Sequence, residues 1–268
     1  MEKPLQRHVR WTKDRNFAYL VNGEAVERSL DPSESLFARF AESGYSSSLV
    51  GFYLPYCRLF RPFLKECLRY PHLEERALRS SGVFFDDVKE ILRTLDPARG
   101  SLIEESAQNA ESLIRDSIRV VREGRADFTY LHFPFPHPPW IYDRAQQKIV
   151  PAGTPGIDYR DALALADKTV GSLREAIEAS GKAEDTVLIV TADHANYEPY
   201  PFVSSLDERV PLLIHFPEAS HQLRVSGTYN TFRLGRLIFS LLQEGIPPNA
   251  EIPAWIDRLL TRGVYPLH

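Results

Sequence analysis

Two kinds of apolar pattern alternate along this chain, and together they predict that helices and strands follow one another. Apolar residues that recur every three or four positions predict helices, and short apolar runs predict strands. The predicted helices are 33–43, 101–122, 158–180 and 228–243, with a short packing helix at 255–260. The predicted strands are 17–21, 47–53, 128–131, 186–190 and 212–216, and the segment 59–92 reads as irregular helical pieces. This order is typical of an α/β fold around a mostly parallel sheet.

The strand at 186–190 is the most informative of these elements, because Asp193 and His194 follow it directly. No polar residue interrupts 187–190, which is typical of a strand covered on both faces in a parallel sheet. Ligands of such sheets bind beyond the carboxyl ends of the strands. A carboxylate beside an imidazole at that edge suits a divalent cation. On this pair alone an alternative stays open, in which Asp193 caps a turn and His194 is an ordinary surface histidine.

A proline-rich loop follows the strand at 128–131 and carries two further histidines, His132 and His137. Proline fixes φ and removes a backbone donor, so the loop is expected to hold one shape. The prolines that stiffen it are Pro134, Pro136, Pro138 and Pro139. The sequence therefore predicts that both histidines are displayed near the end of a strand.

Several blocks, taken together and in this order, resemble the sulfatase family of the alkaline phosphatase superfamily, which also includes phosphoethanolamine and phosphoglycerol transferases. The blocks are a helix–Gly–Tyr–strand segment at 35–51, the loop from His132 to His137-Pro138-Pro139, the helix carrying Asp167 and Gly171, the strand before Asp193-His194, and Arg209-Val210-Pro211-Leu212. The resemblance covers roughly residues 30 to 245. It implies an alkaline-phosphatase-like fold, a three-layer α/β sandwich with a mostly parallel central sheet.

The resemblance also implies roles for individual residues. Asp193 and His194 would bind a divalent metal ion, which could be Ca, Mg, Mn or Zn. His137 resembles the histidine that contacts the transferred sulfuryl or phosphoryl group or protonates the leaving oxygen. His132 would line the pocket or serve as a core histidine at a strand end. Arg209 would supply positive charge for the substrate or play a structural part.

Three departures separate this chain from the family pattern. Only about 30 residues precede the segment 35–51, and they contain no paired acids after an apolar strand and no recognisable nucleophile. Ala195 stands where sulfatases usually have Gly after the Asp-His pair. Lys182 is the last lysine, so the sulfate-binding lysine expected further along is missing. The loss of that lysine favours the phosphotransfer branch slightly over a strict arylsulfatase.

The two cysteines and Asp167 are assigned structural parts. Cys57 and Cys67 lie ten residues apart, and their number does not indicate a disulfide framework. We expect Cys57 to be a small buried or half-buried thiol rather than a nucleophile. Asp167 falls beside the apolar stripe of its helix, where bonding to a neighbouring loop or backbone is the favoured interpretation.

Composition limits the classes of protein and of partner. A chain of 268 residues with 43% hydrophobic residues can form one domain, and we expect a single sulfatase-like domain over 1–268, incomplete at its N-terminal side. A net charge of −4 argues against nucleic-acid binding. No segment is long enough to span a membrane or serve as a signal peptide, so the chain as written is expected in the cytoplasm. A preceding segment would change this, because many relatives are exported or membrane-anchored.

The sequence thus favours a sulfatase-like, metal-dependent hydrolase of small-molecule sulfate or phosphate esters. Without its nucleophile segment the chain is expected to be incomplete or inactive alone. Three alternatives stay open: a portion of a phosphoethanolamine- or phosphoglycerol-transferase-like enzyme, a non-catalytic ester- or anion-binding protein that kept the fold, and a structural or regulatory subunit. The alcohol part of the ester is not indicated.

Overall fold

The computed structural model describes residues 10–11, 16–21, 24–29, 31–70, 98–195, 209–217 and 233–261. The strands are β1 Arg10–Trp11, β2 Asn16–Val21, β3 Glu24–Ser29, β4 Ser47–Phe52, β5 Glu66–Tyr70, β6 Phe128–His132, β7 Tyr142–Asp143, β8 Lys148–Ile149, β9 Leu188–Thr191 and β10 Leu212–His215. The helices are α1 Leu36–Glu42, α2 Tyr56–Phe60, α3 Ala98–Glu123, α4 Tyr159–Ala179, α5 Leu234–Glu244 and α6 Ile252–Thr261.

A parallel sheet with the order β5-β4-β6 forms the centre of the fold. Successive residues of the middle strand point to opposite faces, so the two apolar residues at its centre contact different layers. Leu49 packs with Phe37 of α1, and Val50 packs with Leu113 and Val120 of α3. Both strand residues are fully buried. Helices therefore cover both faces of the sheet, which confirms the expected α/β sandwich with a parallel sheet.

The remaining described strands pair antiparallel. β1, β2 and β3 form a meander, and β7 and β8 form a short hairpin. β9 pairs with β10, and Thr191 lies opposite Leu212. Parallel pairing was expected for the apolar run at 186–190, but the described neighbour of β9 runs the other way. An uninterrupted apolar run reports burial, and burial does not fix the direction of the partner strand.

Helices α5 and α6 cover one face of the β9–β10 pair. Its core consists of Phe216, Leu237, Ile252, Trp255, Ile256 and Leu260, with Val187, Ile189, Leu212 and Ile214 packed against it. The partial cover explains why the apolar residues of β9 are only half-buried. Residues 228–232 of the helix predicted at 228–243 lie outside the described residues, and α5 begins at Leu234.

Local signals fix the ends of the helix that opens the first predicted block. The side chain of Asp31 accepts from the backbone N–H of Ser33 and caps a 3-10 turn, Pro32–Glu34. α1 then starts one turn later than expected, because Ser35 caps it by accepting from the backbone N–H of Ala38. Gly44, with φ of 82°, follows the helix as predicted.

A disulfide joins Cys57 of α2 to Cys67 of β5, with a Cα–Cα distance of 5.6 Å. The expectation that Cys57 is a thiol is therefore wrong. The physical reason is that the part of 59–92 read as helical contains β5, whose parallel pairing with β4 brings Cys67 beneath α2. Residues 71–92 of that segment lie outside the described residues.

A helix that crosses a lipid bilayer needs about 20 consecutive, predominantly apolar residues. None of the described helices combines that length with such a continuous apolar character.

Candidate active site

The residues singled out from the sequence lie at one edge of the sheet region. His132 is the last residue of β6, opposite Gly51 of β4. Asp193 and His194 follow the end of β9 at Thr191. Arg209 precedes β10, and because β10 is antiparallel to β9, its amino end lies beside the carboxyl end of β9. The topology thus brings these positions towards a common edge.

His137 and His194 approach each other across this edge. Their ring centroids are 6.3 Å apart, and the ring planes are nearly perpendicular at 89°. The backbone N–H of His137 donates to the carbonyl of Pro134 at 3.0 Å, which closes the loop that carries it. The peptide bonds before Pro136 and Pro139 in this loop are cis. The proline-rich loop therefore presents His137 to the segment after β9.

Both histidines use the same ring nitrogen to contact the backbone. The Nδ1 atom of His137 bonds to the carbonyl of Pro138, and that of His194 bonds to the carbonyl of Ala195 at 2.7 Å. A carbonyl oxygen only accepts, so Nδ1 carries the proton in each ring, and the lone pair of the neutral ring lies on Nε2. A histidine that binds a metal commonly donates its other N–H in this way.

Asp193 is more exposed than His194, with 72% of its side chain accessible against 45%. Its Oδ1 accepts from the backbone N–H of His194 at 3.0 Å and lies 3.9 Å from Nε2 of the same residue. Ala195 is buried, and it is not among the residues with positive φ in the described chain. The turn after the Asp-His pair therefore has no need of the glycine that sulfatases usually place there.

His132 is held from the side of β4 and α2. The hydroxyl of Tyr56 lies 3.0 Å from its Nδ1. Burial lowers the pKa of His132, while the negative charge of Asp193 and a hydrogen bond with the backbone of Phe52 oppose that shift. His132 is thus a neutral, hydrogen-bonded ring at the strand end, and it lies close enough to Asp193 for that charge to affect its pKa.

Two tyrosines beside His132 were not anticipated from the sequence. Tyr56 and Tyr130 form a T-shaped pair with ring centroids 5.9 Å apart, and burial raises the pKa of both hydroxyls. The charge of Asp193 adds to both shifts. Tyrosines in apolar segments are common core residues, so the sequence offers no signal for this cluster beyond its position near strand ends.

Three other candidate residues have separate positions or contacts. Asp167 is exposed on α4. Arg209 is exposed and makes contacts of its own. Cys57 is bonded to Cys67, so it has no thiolate to act as a nucleophile.

The described residues do not form a complete metal site. No three His, Cys, Asp or Glu side chains within the described ranges converge as the ligands of one ion. Asp193 and His194 match the donor chemistry of a divalent metal, but they account for two ligands where three or more protein ligands are usual. The pair therefore fits as a partial ligand set.

A cavity in the described structure lies elsewhere. It has a volume of about 560 Å³ and lies between α3, α4 and the β7–β8 hairpin. None of the candidate histidines, Asp193 or Arg209 lines it. The candidate chemistry is therefore located at an open sheet edge and not inside this cavity.

Solved structures with a similar fold are larger than this chain. The crystal structure of Ps i-CgsB in complex with k-i-k-neocarrahexaose has a TM-score of 0.54 and 14% identity, with 84% of this chain and 57% of that chain covered. A second structure of Ps i-CgsB gives a TM-score of 0.52 and 16% identity, covering 83% and 56%. The chain thus spans a little over half the length of these proteins.

A third structure, the lipoteichoic acid synthase LtaP from Listeria monocytogenes, has a TM-score of 0.39 and 14% identity, covering 70% of this chain and 47% of that chain. No curated protein sequence matches this chain. The Sulfatase family model matches residues 14–244, so the match begins earlier than the expected residue 30 and ends at the expected place. The match extends over most of the 268 residues, and the chain therefore belongs to the Sulfatase family.

Proposed function

We propose that this chain is the substrate-side portion of a sulfatase-like, metal-dependent hydrolase of sulfate or phosphate esters. The observation that supports this most directly is the approach of His137 to His194 at the strand ends, with ring centroids 6.3 Å apart. The two residues come from separate blocks of the sequence, 57 positions apart in the chain numbering. Membership of the family supports a hydrolase or transferase in general, and the roles of the individual residues are our proposal.

The proposed roles follow from the hydrogen bonds of each ring. Asp193 and Nε2 of His194 would hold the metal ion, since Nδ1 of His194 is bonded to the carbonyl of Ala195. A divalent ion bound there would stabilise negative charge on the ester oxygens. His137, with Nδ1 bonded to Pro138, would use Nε2 to contact the transferred group or to protonate the leaving oxygen. Arg209 would add positive charge on the β10 side of the edge.

The proposed reaction requires groups for which this sequence has no recognisable motif. A covalent nucleophile and further acidic metal ligands are the main ones. We propose that a segment beyond residues 1–268 supplies them, and that these residues otherwise form one domain. On this proposal the location of the whole enzyme, exported or membrane-anchored, depends on that segment.

A second candidate function is a non-catalytic protein that binds ester or anion. The pairing of Cys57 with Cys67 supports it, because the disulfide removes the thiol that was weighed as a nucleophile. A third is a portion of a phosphoethanolamine- or phosphoglycerol-transferase-like enzyme. It is supported by the position of the last lysine, Lys182, before β9.

Titration calorimetry of the chelator-treated chain with Mn²⁺, Ca²⁺, Mg²⁺ and Zn²⁺ tests the metal part of the proposal. We expect binding in the micromolar range for at least one ion, and its loss in the double variant Asp193→Ala, His194→Ala. The matched control is Asp167→Ala, His215→Ala, which removes one exposed residue of each type from α4 and β10. The control should bind as the wild type does.

Binding that survives in the Asp193→Ala, His194→Ala variant would overturn the assignment of these two ligands. Absence of binding in the wild type would show that this chain does not assemble a metal site by itself, and would favour the non-catalytic candidate for it.

A further inference from the structure

The side chain of Tyr56 packs against the backbone of β4 at Gly51, where no side chain is in the way. Tyr56 is the first residue of α2 and is 8% exposed. A Cβ atom placed on Gly51 would lie 2.6 Å from Cδ2 of the tyrosine ring, which is closer than real side chains approach. The tyrosine ring therefore packs directly on the backbone of β4, and glycine at 51 is required for that packing.

The hydroxyl of Tyr56 reaches across to the end of β6. It lies 3.0 Å from Nδ1 of His132, and the two rings are perpendicular with centroids 5.8 Å apart. Tyr130, also on β6, contacts the ring of Tyr56 edge to face, with ring centroids 5.9 Å apart. Tyr56 is thus fixed between two residues of the strand that ends at the candidate site.

The residue that follows Tyr56 is bonded covalently to the strand that flanks β4 on the edge away from His132. Cys57 is joined to Cys67 of β5, and β5 and β6 flank β4 on its two edges. Helix α2 has only five residues, so tethering its second residue also restrains the first. The disulfide to β5 therefore restrains the position of the Tyr56 hydroxyl, and that hydroxyl contacts His132 on β6, at the other edge of β4.

We propose that Tyr56 is a positioning residue of the candidate site: its hydroxyl donates to Nδ1 of His132 and thereby fixes the rotation of that ring and its neutral tautomer, with the proton on Nε2. The inference rests on the proposed function only in that His132 belongs to the site. Because Nδ1 of His132 is already hydrogen-bonded to Tyr56, it does not bind metal in this arrangement. The part assigned to His132 is therefore to shape the strand edge near Asp193. The inference also links the Cys57–Cys67 bond to the geometry of the site.

The test is the ring ¹⁵N NMR spectrum of His132, assigned by the loss of its signals in His132→Gln. In the wild type we expect signals of a single neutral tautomer with a hydrogen-bonded Nδ1. In Tyr56→Phe the ring keeps its packing but loses the hydroxyl, and we expect the Nδ1 signal to shift and the two tautomers to exchange. The other histidines should keep their signals.

Tyr45→Phe is the matched control. Its hydroxyl is also half-buried and bonded, donating to the carbonyl of Leu242 at 2.7 Å, but it lies away from His132. This variant should leave the His132 signals unchanged. Unmoved His132 signals in Tyr56→Phe would overturn the proposal, because a tyrosine that only fills space would leave them in place.

The wild-type spectrum provides a second measurement if Tyr56→Phe does not fold. A single tautomer protonated on Nε2 supports the proposal, and a ring protonated on Nδ1 or a mixture of exchanging tautomers overturns it. Neither reading depends on ester hydrolysis or metal binding. Failure of the proposed function would therefore appear in calorimetry, and failure of this inference would appear in the NMR spectrum.

Discussion

Gly51 and Tyr56 share a narrow space beside the candidate site, and the side-chain sizes at the two positions are complementary. Gly51 has no positive φ, so its importance does not come from backbone freedom. It comes from the tyrosine ring, because a Cβ added at Gly51 would lie 2.6 and 2.8 Å from two of the ring carbons. A larger side chain at position 51 should therefore displace the ring of Tyr56 and so alter its hydrogen bond with His132.

We predict that Gly51→Ala lowers the free energy of unfolding by about 1–3 kcal/mol, because overpacking a close contact forces the ring or the strand to move. The measurement is urea unfolding followed by far-UV circular dichroism. The control is Gly171→Ala in α4, where an added Cβ meets no heavy atom within 4 Å. There alanine should be neutral or stabilise the helix by up to about 1 kcal/mol. Equal unfolding midpoints for Gly51→Ala and the wild type would contradict the prediction.

At the scale of single residues, strand ends and prolines made part of the site predictable. Asp193 and His194 follow an apolar run, and His137 lies among prolines, so each has a signal in the sequence. Their assigned roles are still predictions. Tyr56 has no such signal, because its importance depends on a contact with His132 that is 76 positions away in the sequence.

Helix α2 is too short to be stable through its own hydrogen bonds, so its place depends on tertiary contacts. The Cys57–Cys67 disulfide is the strongest of these, and it closes a loop with a sequence separation of 10. Cys67 is buried in the same cluster as Leu49 and Tyr56, so the bond lies within the core on the α1 side of the sheet.

We predict that the double variant Cys57→Ser, Cys67→Ser lowers the free energy of unfolding by about 2–3 kcal/mol, from the lost restriction of the unfolded chain. Denaturant unfolding with and without a thiol reductant measures the effect. Reductant should destabilise the wild type and leave the double variant unchanged. If reductant changes neither protein, the disulfide is not formed or does not contribute to stability.

The N-terminus of α4 is capped by a reciprocal pair of acidic residues. Asp158 accepts from the backbone N–H groups of Arg160 and Asp161, and the side chain of Asp161 accepts from the backbone N–H of Asp158. The guanidinium of Arg160 is the largest cause that lowers the pKa of Asp158 to about 2, from its ordinary value of 3.8.

A folded-state pKa below the unfolded value means that Asp158 contributes stability above about pH 4 and that this contribution is lost as the pH falls towards 2. We predict that Asp158→Ala costs about 1 kcal/mol at neutral pH, the usual value for a lost cap. The difference in unfolding free energy between wild type and variant should shrink between pH 4 and pH 2. A difference that stays constant over this range would show that the ionised carboxylate is not responsible.

At the scale of elements, periodic patterns predicted helices well and mixed segments poorly. The helix predicted at 158–180 differs from α4 by one residue at each end, because both its apolar stripe and its capping residues are visible in the sequence. β5 was missed because Glu66 and Arg69 interrupt its apolar residues. Its strand character comes from pairing with β4, which is a tertiary effect.

The whole molecule could be assigned to its fold because several weak signals occur in a fixed order. Each block is ambiguous alone, but the order from 35–51 to Arg209 is matched by a family model over residues 14–244. The Cys57–Cys67 disulfide is not contained in the order of the blocks, because it depends on the pairing of β5 with β4.

Catalysis by the chain alone should be very slow. We expect purified chain, supplied with divalent metal, to release nitrophenol from nitrophenyl sulfate and nitrophenyl phosphate only at a very low rate. The reason is that the sequence shows no recognisable nucleophile motif, that Cys57 is held in a disulfide, and that within the described ranges no three His, Cys, Asp or Glu side chains converge on one ion. Without a covalent intermediate the difficult step is not divided into two easier ones.

Any residual rate must be traced to this chain and not to a contaminant. His137→Ala and the double variant Asp193→Ala, His194→Ala should each abolish a genuine residual rate, and Asp167→Ala, His215→Ala should preserve it. Turnover at a rate typical of complete family members, lost in the first two variants and kept in the third, would show that residues 1–268 contain a working nucleophile. The proposal of an additional segment would then be wrong, and the nucleophile would have to be sought within residues 1–268.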